Sequence, residues 1–341
     1  MSVAVEAVLK ALVLLLLLLS DSFFFRRLDW LCIVYYGNKS RVSDSLFCLQ
    51  NLLQAREAVS MKVYYCAEYC AASHAWDTTR KADLVAQKLR GQAGIEITGP
   101  QPLTRTQLLR AHSEEYVEAV MTGSPRHLAE SNGFDWCQNL PTAVLYSNGG
   151  VVAAAYQAIV DGASGSLSSG LHHAGKNRGG GFCTFNGLAI AALDVIATAA
   201  ARKVLIVDYD AHYGDGTAEI IRGHDCITQI DVSSHFRGSG YLDECRRPLA
   251  TLKPGDFDLM LYNAGMDVHE KCRIGGRSGV TDQTLNDRDA LVFQICRELA
   301  LPVAFVLAGG YANKDFSEDQ LAQLHATTAL LASKNFPFPK K

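Results

Sequence analysis

Nowhere in the 341 residues does charge of one sign accumulate: 32 lysines and arginines stand against 35 acidic residues, for a formal net charge of −3 with no long basic run. A nucleic-acid footprint is therefore missing, and an anionic polymer is not expected as a direct substrate. Zinc-finger spacing is missing as well. Ten cysteines are scattered, and the nearest pair, Cys66 and Cys70, has no matching pair downstream. They read as reduced thiols of an intracellular protein, cytoplasmic or nuclear by default. Internal repeats are not apparent, and no Gly-x-Gly-x-x-Gly or P-loop lysine follows a strand, so the glycines mark no phosphate site. The apolar run from Ala11 to Leu19 has the length of a signal-peptide core and falls far short of the ~20 residues that span a bilayer. A membrane span is not expected. Residues 1–60 differ in character from the rest and read as an extension, disordered or a targeting segment, which leaves organelle targeting open.

What is present suits one sizeable α/β domain, with 48% hydrophobic and 20% charged residues. From Met61 onward, strand-like runs fall at Lys62–Cys66, Val204–Asp210, Leu259–Tyr262 and Val303–Leu307, with a weaker small, polar one at Ser166–Gly170. Between them lie stretches of helical periodicity such as Arg80–Leu89, Gly149–Val160 and Asn186–Ala200. The alternation predicts a parallel sheet with helices on both faces. Each run ends in polar residues: His172 and His173, then Asp210 and His212, then Asp267, then Gly309-Gly310-Tyr311. In a parallel sheet these ends meet at one edge, where α/β proteins place their ligands.

The chemistry of those residues is specific. In Val204-Leu-Ile-Val-Asp-Tyr-Asp-Ala-His-Tyr-Gly-Asp-Gly216, period-two alternation would turn Asp208, Asp210 and His212 to one face, although an Asp-rich turn accounts for the same residues. Asp210, His212 and Asp267 would leave a zinc-type ion with open positions. A binuclear manganese site would need more carboxylates than Asn263-Ala-Gly-Met-Asp267 provides, and His269 and Glu270 would reach the ion only if their loop folded back. His172 and His173 suit proton transfer, with Asp208 and Asp215 as orienting partners, or else are two hydrogen-bonded loop histidines. Glycines 170, 175 and 179–181 around them suggest backbone packed close to a ligand. Tyr311 is either a donor to a developing oxyanion or an aromatic cap on the sheet. Phe182 and Phe185 are each pocket wall or core.

Four motifs in this order, Gly170-Leu-His-His-Ala174 with Gly181-Phe-Cys-Thr-Phe-Asn186, Asp208–Gly216, Ala264-Gly-Met-Asp267 and Ala308-Gly-Gly-Tyr311, resemble those of the zinc-dependent histone deacetylase family, which also includes acetylpolyamine amidohydrolases. The resemblance covers about 62–335. It implies an arginase/deacetylase-type fold on an open parallel eight-stranded sheet, a deacetylase-like catalytic domain over 61–341, and hydrolysis of acetyl-lysine in a protein such as a histone or of a small acetylated polyamine. It places one zinc, or another divalent ion, on Asp210, His212 and Asp267. The histidine pair falls on His172 and His173, with His173 transferring the proton, the supporting carboxylates on Asp208 and Asp215, and the oxyanion tyrosine on Tyr311. It further implies a structural potassium ion near Asp208 and Ser233, a substrate wall at Gly181 and Phe182, and a rim aspartate at Asp135. Two departures stand out. Tyr213 replaces a second histidine, and the interval from Asp215 to Asp267 is short for the family, so that a segment of pocket wall and sheet is expected to be remodelled or missing. A binding protein that keeps the fold without turnover is the rival reading from another class. The oligomeric state is not legible here.

Overall fold

The computed structural model describes residues 60–72, 77–233 and 240–336, so the expected extension lies outside the described residues apart from Ser60. The chain runs through β1 (Met61–Tyr64), α1 (Asp77–Leu89), β2 (Ile95–Thr98), α2 (Arg105–Ala111), α3 (Glu114–Thr122), α4 (Arg126–Ala129), α5 (Leu140–Asp161), β3 (Ala163–Ser166) and α6 (Gly187–Ala197). It continues through β4 (Val204–Asp208), α7 (Asp215–Ile221), β5 (Ile227–Asp231), α8 (Tyr241–Leu249), β6 (Leu259–Ala264), α9 (Asp282–Glu298), β7 (Val303–Leu307) and α10 (Glu318–Asn335). All strand pairs are parallel, in the order β2-β1-β3-β7-β6-β4-β5. Seven strands are present among the described residues where eight were expected. Between Asp215 and Asp267 the described chain supplies β5, at the end of the sheet, and β6, in its interior.

The central strands β4, β6 and β7 are buried along their whole length, as their continuous apolar sequences require of strands covered on both faces. β3 corrects the sequence reading, which placed a strand at Ser166–Gly170: the strand is Ala163–Ser166, and 167–170 leave it toward the site. Its small residues have a use. Ser164 Oγ donates to Lys62 O at 2.8 Å and Ser166 Oγ to Tyr64 O at 3.4 Å, so the hydroxyls are satisfied on the neighbouring strand. Gly165 has no side chain because the Phe305 ring of β7 lies across it.

Helix α5 is long and apolar enough to cross a membrane by composition, yet Asn148, Gly149, Gly150, Val151 and Ala155 on it are buried in the domain. Helices α2, α9 and α10 start on reciprocal capping boxes at Thr104, Thr281 and Ser317. Asn186 caps α6 by accepting from Ala189 N at 3.0 Å.

Candidate active site

β4 ends at Asp208, two residues sooner than the apolar run suggested, and successive Asx turns take over. Asp210 N donates to Asp208 Oδ1 at 3.2 Å, and His212 N donates to Asp210 Oδ1 at 3.0 Å. The three side chains therefore do not share a face by strand alternation. Asp208 turns to His172, and Asp210 and His212 turn to Asp267.

Asp210, His212 and Asp267 offer one ligand atom each, all within 4.8 Å of one another. His212 Nδ1 lies 3.1 Å from Asp210 Oδ1 and 2.9 Å from Asp267 Oδ2. Backbone donors aim the carboxylates: Gly309 N reaches Asp210 Oδ2 at 2.7 Å, and Ala211 N reaches Asp267 Oδ1 at 2.9 Å. A methyl group on Gly309 would stand 2.6 Å from Asp210 Oδ2, so only glycine lets β7 approach so near. Burial and then the charge of Asp210 raise Asp267 to about 7. Burial works against ionised Asp210 too, but the His172 charge and the His212 hydrogen bond outweigh it and hold that carboxyl well below its ordinary range. Two buried carboxylates facing one imidazole are an expensive arrangement unless a cation compensates them. One nitrogen and two oxygens at this spacing fit a divalent ion of the zinc type.

The histidine pair is carried on the turn after β3. His172 Nδ1 is 2.8 Å from Asp208 Oδ2, and His173 Nδ1 is 2.6 Å from Asp215 Oδ1, so each imidazole has its own carboxylate. Their ring centroids are 4.0 Å apart, and His173 is 6.1 Å from His212. Burial opposes a charge on His172, but Asp208 and Asp210 overcome it and raise its pKa to about 10. His173 goes the other way: burial and the neighbouring His172 charge lower its pKa despite Asp215. Two adjacent imidazoles are thus driven to opposite protonation states.

A narrow pocket is lined by Gly181, His172, Asp210, Asn263, Gly309 and Tyr311, among others. Gly181 packs against the His173 ring. Burial, then the charges of Asp210 and Asp267, push the Tyr311 phenol far above its usual range, so it remains an O–H donor. Phe182 lines a neighbouring cleft and holds a strained φ of +65° while its N–H donates to Asn132 O at 2.8 Å. Its ring meets Phe134 at 5.4 Å, and the adjacent Asp135 is exposed on the same loop. Phe185 is core, packed between His112 and Tyr116.

His269 and Glu270 stand apart from the ligand set. His269 Nε2 meets Asp282 Oδ1 at 2.7 Å with its ring stacked on Phe316, and Glu270 accepts from Gly279 N. Ser233 is turned onto Asp231 rather than Asp208, and Tyr213 is exposed. Both carboxylate oxygens of Asp208 are engaged, Oδ2 by His172 and Oδ1 by Asp210 N and Asn263 Nδ2.

Sequence reasoning missed the residues that hold the motifs in place. Asn186 Nδ2 donates to Ala174 O and Thr217 Oγ1, both at 3.0 Å, tying the histidine turn to α6 and α7. His112, distant in sequence, accepts from Asn186 N at Nε2 (3.0 Å) and donates from Nδ1 to Gly175 O (2.8 Å), which defines a neutral tautomer. Burial lowers its pKa to about 4. Because the unfolded chain takes up this proton near pH 6.5, the His112 contribution to stability is full above that pH and is lost as pH falls toward 4. Its size is up to about 3 kcal/mol. Urea unfolding at pH 7 and pH 4.5 is expected to show a smaller pH-dependent loss in His112→Gln than in the wild type. Equal losses would contradict this role.

Residues 73–247, about half the chain, match the family model for the histone deacetylase domain. An uncharacterised protein of Picosynechococcus sp. is 32% identical over 242 residues, covering 64% of this chain and 79% of that protein. Histone deacetylase 2 of Arabidopsis thaliana is 23% identical over 245 residues, and the match covers 63% of each chain, so this chain spans just under two thirds of that relative. The structure of the acetylpolyamine aminohydrolase from Burkholderia pseudomallei superposes with a TM-score of 0.61 at 17% identity, over 80% of this chain and 98% of that one, a likeness of fold. The motifs at four strand ends, the parallel sheet that gathers them and these matches agree: the chain belongs to the histone deacetylase family.

Proposed function

We propose that this chain hydrolyses an N-acetyl amide, either acetyl-lysine in a protein such as a histone or a small acetylated polyamine, to acetate and a free amine. One observation supports the reading above others: a buried Asp-His-Asp ligand set, two imidazoles each backed by a carboxylate, and Tyr311 converge at one sheet edge. Asp210, His212 and Asp267 would hold one zinc ion, which when bound supplies Lewis acidity to the amide carbonyl and to water. Asp215 keeps the proton on His173 Nδ1, leaving Nε2 as the base that takes a proton from water and returns it to the leaving nitrogen. His172, oriented by Asp208, assists His173 in the proton transfer. Tyr311 donates to that oxyanion. The expected potassium ion and the rim role of Asp135 belong to this proposal as well.

The substrate class is tested by assaying the zinc-loaded full chain with an acetyl-lysine peptide and with an acetylated polyamine, following acetate. A preference beyond about tenfold in kcat/KM, roughly 1.4 kcal/mol of transition-state binding, assigns the class. Turnover of neither by the folded protein would contradict the proposal and favour a binding protein of the same fold.

A further inference from the structure

Next to the backbone that carries the ligand set, a guanidinium is buried where the β4–β6 ladder stops. Arg288 on α9 is fully buried, with its partner Asp289 1% exposed. The two are joined by Nε to Oδ1 at 2.9 Å and Nη2 to Oδ1 at 2.8 Å, and Asp289 also accepts from Tyr262 Oη and Thr328 Oγ1, each at 2.5 Å. The far end of the guanidinium does something else. Nη1 donates to Gly265 O at 2.5 Å and lies 3.4 Å from Tyr209 O and 3.1 Å from Tyr241 Oη.

Tyr209 immediately precedes Asp210, and Gly265 stands two residues before Asp267. The parallel ladder between β4 and β6 has its last register pair at Asp208 and Asn263, followed by the bond from Tyr209 N to Asn263 O at 3.1 Å. Beyond that point no backbone ladder bond among the described residues joins the two chains, and apart from the bond from Ala211 N to the Asp267 carboxylate the ligand atoms of Asp210 and Asp267 must be kept within a few ångströms by other means. The two backbones do stay close: a methyl group on Gly265 would lie 2.8 Å from Tyr209 O and 2.9 Å from Asp210 N.

We infer that Arg288 is a positioning residue for the metal site, its guanidinium bridging the Tyr209 and Gly265 carbonyls so that the strand ends carry Asp210 and Asp267 at metal-binding separation. The inference rests on the reading of Asp210, His212 and Asp267 as a metal site, but not on the reaction catalysed there. Lysine keeps the charge but has no planar fork to serve Asp289 and two carbonyls together. Groups that orient metal ligands from behind typically account for about 10- to 100-fold in metal affinity.

The test measures zinc affinity of the full chain by competition with a chromophoric chelator, beside the visible spectrum of the cobalt-substituted protein. Two variants are used. Arg288→Lys retains the charge, and the double variant Arg288→Met with Asp289→Asn removes both charges together, avoiding an unpaired buried ion should the first fail to fold. Folded variants, judged by near-UV circular dichroism, are expected to bind zinc at least about tenfold more weakly and to show altered cobalt d–d bands, with Arg288→Lys less affected than the double variant. Wild-type zinc affinity and an unchanged cobalt spectrum in a folded variant would overturn the inference and leave Arg288 a packing residue. A wild type that binds zinc but releases no acetate would sink the proposed reaction and leave this inference standing. A wild type that binds no zinc would sink the metal-site reading and this inference with it.

Discussion

Asp210→Ala is expected to abolish metal-dependent acetate release. The side chain is one of two buried carboxylates in the ligand set, and it also receives the Gly309 and His212 backbone N–H groups. Its removal takes away a ligand and the anchor between the β4 and β7 loops together. Lewis-acid stabilisation amounts to several kcal/mol, and a loss of about 4 kcal/mol is about a 10³-fold fall in rate. Stability supplies an independent readout. A folded protein that binds zinc gains about 2.7 kcal/mol at a free concentration 100 times Kd, so zinc is expected to raise the melting temperature of the wild type and leave Asp210→Ala unmoved. Thermal unfolding with and without zinc checks this, and a zinc-induced shift of wild-type size in the variant would remove Asp210 from the ligand set.

Tyr311→Phe tests a different part of the site. The phenol is kept protonated by burial and by Asp210 and Asp267, and it lines the same pocket as His172 and Asp210. Losing one preorganised oxyanion donor costs about 10²- to 10³-fold in kcat, roughly 3 to 4 kcal/mol. The expected signature is that loss in kcat with metal content unchanged and KM little altered, because a bond made to the oxyanion is absent from the ground state. Steady-state kinetics with metal analysis checks it. A rise in KM at constant kcat would make Tyr311 a substrate-binding wall, and no change would make it the aromatic cap that its local sequence also allowed.

Much of this site is visible in the sequence for a topological reason. Parallel strands put all their carboxyl ends at one edge, so polar residues following separate apolar runs had to converge once the runs were read as strands. The residues that hold the convergence are less visible. Arg288, His112 and Asn186 act through bonds to backbone carbonyls and amides far away in sequence, and an arginine or histidine within a helical stretch looks the same whether it faces solvent or a strand end. The division of labour between Asp208 as a support and Asp210 as a ligand was legible, but the geometry behind it was not: β4 stops at Asp208 and passes into turns instead of carrying all three side chains on one strand face. β3 was misplaced because its strand character lies in serine hydroxyls bonded to β1 rather than in apolar residues. The edge strand β5, Ile-Thr-Gln-Ile-Asp, interrupts its apolar residues with polar ones and offers no continuous run to find. The short interval after Asp215 was legible as a departure from the family's spacing.

The central claim is that one divalent ion on Asp210, His212 and Asp267 powers amide hydrolysis at this sheet edge. Stripping the full chain with a chelator and titrating zinc back, with acetate release from an acetyl-lysine peptide and from an acetylated polyamine read at each addition, tests it most directly. The account predicts no activity after stripping and recovery, on at least one of these substrates, that saturates at one zinc per chain. Activity that survives complete metal removal, or a folded chain that takes up zinc and turns over neither substrate, would contradict it.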